Sequence, residues 1–254
     1  MMRRTTALSS VLIASVFLGG CATGSVDTVT STPTVTQSVT ASPTATSTPT
    51  PKPARTPFFN IDDPNSITVV VNKHRPLNPS NFESPDMAVP TALSNPYSRP
   101  LRTEAAQALD RMATDASAAG IQLSVASAYR SYDTQVATYN GFVARDGQAR
   151  ADTYSARPGH SEHQTGLAVD LNDGGPCQVD VCFADTAAGQ WLAANSWQYG
   201  FIVRYPNGFD SITGYQYEPW HFRYVGTRVS TAMHNLNIPT LEQFFNLEPA
   251  PSYY

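Results

Sequence analysis

The run Gly166-Leu167-Ala168-Val169-Asp170-Leu171 places the tightest condition on how this chain folds. Its length and aliphatic content predict a short buried strand, in which Leu167, Val169 and Leu171 share one face while Ala168 and Asp170 share the other. A carboxylate inside a protein is costly unless it has a partner. The face opposite the aliphatics is therefore expected to be a polar site rather than a second apolar layer. His163, in the turn that leads into the strand, is the nearest partner. Residues 155–173 also carry Arg157, His160, Glu162 and Asp173, a concentration of titratable groups that marks this stretch as the chemical centre.

The chain has 254 residues, and a shift in composition decides how much of it can fold around that strand. Arg3 and Arg4 precede a mostly apolar stretch over 8–18, which reads as an export leader. Residues 1–21 end in Leu18-Gly19-Gly20-Cys21, a lipobox-like ending in which Cys21 becomes the lipidated first residue. An ordinary secretory signal cleaved nearby is the alternative, and both place the protein outside the cytoplasm. Residues 22–57 are dominated by Ser, Thr and Pro, almost without charge, and cannot bury enough apolar surface to fold. They are expected to form an extended tether reaching up to about 100 Å if near polyproline II. That leaves residues 58–254 as one domain. A net charge of −4 gives no basic patch, so nucleic acid is not an expected partner.

Within the domain, residues 67–71 form a β-branched run suited to a strand. Leu101, Ala105, Leu109, Met112, Ala116 and Ala119 recur at helical spacing and predict an amphipathic helix closed by Gly120. A strand over 121–126 and a helix over 134–145 follow, then a helix over 190–199, a strand over 200–205 and a helical tail over 227–245 broken near Pro239. Cys177 and Cys182, separated by four residues in a Gly-Gly-Pro-bounded loop, suit a local disulfide in an exported protein better than a metal site. His74 and His234 carry no signal of a site.

A second chemical segment is Glu218-Pro219-Trp220-His221-Phe222-Arg223-Tyr224. As a strand it puts Trp220, Phe222 and Tyr224 on one face and His221 with Arg223 on the polar one. Pro219 favours an extended Glu218, whose carboxylate can project separately. His163, Asp170 and His221 are donors of the kind zinc accepts, and three protein ligands leave a fourth position for water. The spacing alone is a weak pattern and favours buried, hydrogen-bonded histidines over a metal site. Arg130, just past a strand end, is suited either to holding a planar anion or to an ordinary salt bridge.

Residues 161–171 (Ser-Glu-His-Gln-Thr-Gly-Leu-Ala-Val-Asp-Leu), residues 218–224 and the upstream Ala128-Tyr129-Arg130-Ser131-Tyr132 closely resemble the VanY-type D-alanyl-D-alanine carboxypeptidases, zinc peptidases of bacterial cell-wall peptides. The resemblance runs over residues 67–226. It implies an α+β fold, a small antiparallel sheet flanked by helices, shared with the zinc domain of hedgehog proteins. It implies one Zn2+ per chain on His163, Asp170 and His221, with Glu218 as catalytic base. It further implies Arg130 as clamp for the substrate's terminal carboxylate or polariser of the scissile carbonyl, and Gln135 and Ser161 as contacts to the terminal D-residue. The expected partners are peptidoglycan stem peptides, and the membrane through a lipid on Cys21. An L,D-carboxypeptidase, an endopeptidase on the same stems and a non-catalytic wall-binding module are the competing expectations.

Overall fold

The computed structural model describes residues 59–254. The leader, the lipobox Cys21 and the tether expected over 22–57 lie outside the described residues. No helix among the described residues is long and apolar enough to cross a membrane.

Short strands β1 (Met87–Ala88) and β2 (Leu101–Arg102) pair and lead directly into α1 (Thr103–Ala118). The buried face of α1 is built from alanines with Leu109 and Met112, so strong helix formers also let the helix approach the sheet closely. At its end, Gly120 takes a left-handed φ of +81°, and the amides of Gly120 and Ile121 donate to Ser117 and Ala116. That is the Schellman arrangement, which satisfies carbonyls that the last turn would otherwise orphan.

β3 (Ser124–Ser127) is followed by α2 (Tyr132–Asp146), capped by the Ser131 hydroxyl accepting from the Thr134 amide, and by α3 (Gln148–Ala151). A 3-10 turn over Glu162–Thr165 then leads into β4 (Ala168–Asn172). Gly166 joins the two at φ +70°, and a side chain there would press on Met87 and Arg102. After the disulfide loop come α4 (Ala187–Asn195), β5 (Phe201–Val203), α5 (Asp210–Thr213), β6 (His221–Tyr224), α6 (Thr227–Leu236) and α7 (Leu241–Phe244).

The four strands pair antiparallel in the order β3-β4-β6-β5. One face carries Leu167, Val169, Leu171, Phe201, Phe222 and Tyr224 into a core shared with α1. Burying each such side chain contributes about 1.5–3 kcal/mol, so this face fixes the register. Asp170 thereby falls opposite His221 and Ala168 opposite Arg223 on the other face. A bulge in β3 between Val125 and Ser127 brings Ser127 opposite Asp170 and turns the chain toward Arg130. Bulges of this kind re-aim side chains beside functional sites.

One expected strand is absent. Residues 67–71 are buried over Val69, Val70 and Val71, but their backbone does not join a sheet. The Ile67 and Val69 carbonyls accept from Arg223 and the Val70 carbonyl from Arg75. Guanidinium groups occupy the positions a neighbouring strand would have used, a long-range substitution that a β-branched run cannot announce.

Candidate metal centre

His163, Asp170 and His221 each offer one ligand atom, and these atoms lie within 4.8 Å of one another. The three arrive by different local routes. Asp170 and His221 face each other across the β4–β6 ladder. His163 sits on the 3-10 turn, where its Nδ1–H donates to the Ala128 carbonyl at 2.7 Å. A carbonyl only accepts, so Nδ1 carries the proton and the bare Nε2 is aimed inward, 3.3 Å from Asp170 Oδ2.

A lone pair on an imidazole facing a carboxylate oxygen is repulsive unless something positive lies between them. Asp170 Oδ1 is 3.2 Å from His221 Nδ1, yet it is buried and makes no well-directed hydrogen bond. Burial pulls the His163 imidazole below its ordinary pKa, against the attraction of Asp170. At His221, burial acts the same way, but Asp170 and Glu162 outweigh it and raise the imidazole to about 9. For Asp170, burial would raise the carboxyl, but His163 and His221 hold it well below the usual carboxylate range. The cluster thus brings two imidazoles and an ionised carboxylate to one point, and its N, O, N donor set fits zinc.

Behind His221 stands a group that reading the sequence missed. Glu162 Oε2 lies 3.5 Å from His221 Nε2, on the side away from Asp170. Glu162 is itself held by Arg204 and Arg223, at 2.8 and 2.9 Å from Oε1, and Arg204 is also bound by both oxygens of Glu242. All four charged side chains are fully buried. The contact is a close approach without a well-directed hydrogen bond, both atoms being buried and otherwise unpartnered; a carboxylate placed there favours the proton on Nε2, which leaves Nδ1 free to ligate. The one available sequence signal was Glu162 lying next to His163, with no indication that it would serve the other histidine.

Glu218 is brought to the cluster by a turn. The His221 amide donates to the Glu218 carbonyl, with Pro219 and Trp220 at the corner, a position where proline is pre-set for turning. Its Oε2 ends 3.6 Å from His221 Nδ1. Burial pushes its carboxyl up to about 8, with Asp170 adding to the rise and His221 and Arg130 opposing it.

These groups line a cavity of about 290 Å3 whose wall also includes Arg130, Ser161, Tyr154 and Trp220. Arg130 is held from behind, donating to Gln135 Oε1 at 2.8 Å and to Ser127 Oγ at 3.1 Å. Gln135 is wholly buried and does not line the cavity; its amide nitrogen donates to the Ala156 carbonyl at 2.6 Å. Ser161 is buried at the cavity wall. Cys177 and Cys182 are joined as a disulfide. His160 donates to the Asn72 carbonyl, His74 bonds the Ser252 carbonyl and stacks on Tyr254, and His234 stacks on Trp197. None of these three joins the cluster.

Residues 98–227 match the family model described as VanY, D-alanyl-D-alanine carboxypeptidase. YodJ of Bacillus subtilis is 39% identical over 190 residues, covering 73% of this chain and 69% of that protein. A D-alanyl-D-alanine carboxypeptidase of Enterococcus faecalis is 39% identical over 142 residues, 52% of this chain and 51% of that protein. The chain therefore spans about half the length of that relative. Among solved structures, the LdcB LD-carboxypeptidase is 38% identical with a TM-score of 0.67, covering 72% of this chain and 87% of its own. A vancomycin-resistance D,D-pentapeptidase VanY, solved as a zinc complex, is 30% identical with a TM-score of 0.60, covering 72% and 99%. With its fold, its cluster and these likenesses in agreement, the chain belongs to the VanY D-alanyl-D-alanine carboxypeptidase family.

Proposed function

We propose that this protein is a zinc-dependent carboxypeptidase that removes the C-terminal D-alanine from peptidoglycan stem peptides. The observation that carries the reading is the meeting of His163, Asp170 and His221 ligand atoms within 4.8 Å, with the Glu218 carboxyl beside them. Zinc held by these three residues would polarise the scissile carbonyl and make water a stronger acid. Glu218 takes the proton from the attacking water and returns it to the leaving amine, a role suited to a buried carboxyl whose pKa lies close to neutrality. Arg130, fixed by Gln135 and Ser127, binds the free carboxylate of the terminal residue. Gln135 acts through Arg130, and Ser161 contacts the terminal residue from the cavity wall. A site that anchors a free carboxylate trims chain ends in preference to cutting interior bonds.

A second reading is cleavage of an L,D bond in tetrapeptide stems, favoured by the likeness to the LdcB LD-carboxypeptidase. The purified chain, incubated with tetra- and pentapeptide stems with and without a chelator, separates the two by the mass of the released product. Release of D-alanine from pentapeptides, abolished by chelator and restored by zinc, is expected; chelator-resistant release would overturn the reading.

For the rest of the chain, residues 1–21 act as the leader, Cys21 carries a lipid anchor, and residues 22–57 tether the domain of 58–254 to the membrane, facing the wall. Arg3, Arg4 and the Leu18-Gly19-Gly20-Cys21 ending support this arrangement. Mass spectrometry of the mature N-terminus tests it.

A further inference from the structure

Two pairs of arginines flank the site, and they are partnered in opposite ways. Arg204 and Arg223 are fully buried, and Glu162 bridges them while Glu242 chelates one. Arg99 and Arg130 have no such bridge. Arg130 spends its donors on two neutral acceptors, Gln135 and Ser127. Burial works against its charge, Asp170 and Glu218 support it, and the like charge of Arg99 opposes it. The Arg99 guanidinium makes no hydrogen bond or ion pair among the described residues. Its Nε is sealed from solvent without an acceptor, and its near neighbour is the exposed Tyr97 ring at 5.1 Å. The rest of the half-buried guanidinium lies unpaired beside a like charge, an arrangement that an incoming anion relieves at its terminal nitrogens.

Both arginines open onto a groove of about 430 Å3, whose other polar walls include Ser127, Ser131 and Thr134, and which no acidic side chain lines. Ser131 caps α2 there, so the positive end of that helix meets the same space. The groove shares Arg130 and Thr138 with the catalytic cavity, whereas Arg99 lines the groove alone.

We propose that Arg99, beside Arg130 and with the hydroxyls of Ser127, Ser131 and Thr134, forms a carboxylate-binding shelf that holds a carboxylate of the peptide substrate outside the catalytic cavity, distinct from the terminal carboxylate held by Arg130. The proposal rests on the carboxypeptidase reading for its ligand class. The chain end is already held at Arg130, so the carboxylate at Arg99 comes from an acidic residue within the stem. Stems with that interior carboxylate free are bound in preference to stems in which it is amidated.

The test is calorimetric titration of three matched peptides into wild-type protein, Arg99→Gln and Arg99→Lys. One peptide has all carboxylates free, one has its interior carboxylate amidated, and one has its C-terminal carboxylate amidated. The wild type is expected to bind the free peptide about ten- to a hundredfold more tightly than the one with its interior carboxylate amidated. The C-terminal amide loses the contact at Arg130 and should weaken wild type and Arg99→Gln alike; an effect of it that Arg99→Gln abolishes would overturn the proposal. Arg99→Gln should lose that preference and Arg99→Lys should keep part of it. Unchanged preference in Arg99→Gln, or none in the wild type, would overturn the shelf. Turnover of the same peptides is read separately: failure to release any product while the binding preference stands would sink the carboxypeptidase reading and leave the shelf intact.

Discussion

The two sides of His221 handle charge differently. Behind it, Glu162, Arg204, Arg223 and Glu242 are all fully buried, two carboxylates against two guanidiniums, and every carboxylate oxygen except Glu162 Oε2, the one beside His221, accepts a hydrogen bond. In front of it, Asp170 Oδ1 is buried without a hydrogen bond, the bare nitrogen of His163 faces a carboxylate, and the Glu218 carboxyl is raised to about 8. Buried charges that satisfy one another hold a position; those left unmatched are available for chemistry. The closed side fixes the imidazole, and the open side uses it.

The most damaging disturbance falls on the open side. His163→Ala removes one of the three proposed ligands, and both zinc content and peptide release are expected to fall to background while the far-UV circular dichroism stays native. On the closed side, Arg204→Met leaves Glu162 and Glu242 sharing too little positive charge. Removing one partner of a buried ion pair costs about 3–5 kcal/mol, readable as a lowered urea midpoint, and adding Glu242→Gln to the same chain should recover part of the loss.

A smaller effect crosses between the two sides. Glu162→Gln keeps the shape of the side chain but weakens its hold on His221 Nε2, and zinc affinity should drop about 10- to 100-fold in competition with a chelator. Unaltered zinc affinity would mean that the closed side serves the fold alone. The mildest test is acid. Burial alone would raise the Glu242 carboxyl, but Arg204 and Asn72 hold it below its ordinary value. Its folded pKa is thus lower than its unfolded one, so it contributes stability that is fully present above about pH 4.3 and fades as pH falls toward the folded value. Arg204→Met should flatten that part of the stability profile.

What could be read beforehand follows the same division. The α1 periodicity, the alternation in β4 and β6 and the donor residues His163, Asp170 and His221 are local or motif-borne features, and the fold keeps all of them. The closed network is not local: Glu162 meets Arg204 and Arg223 at separations of 42 and 61 residues, and Asn72 meets Glu242 at 170. No periodicity encodes such pairs. The residues 67–71 failed as a strand for the same reason, because the distant Arg223 takes two of their carbonyls. Gln135 was expected at the substrate; its burial against Arg130 and Ala156 depends on how α2 packs, which its own neighbours in sequence do not reveal.

The proposed division of labour around His221 requires that metal holding and proton transfer be separable, with Glu218 responsible for the second alone. Paired measurement of zinc content and D-alanine release in Glu218→Gln tests this directly. The expected result is one zinc per chain, as in the wild type, with release slowed by about 10²–10⁴-fold. Release at the wild-type rate from a zinc-loaded Glu218→Gln protein would contradict the account.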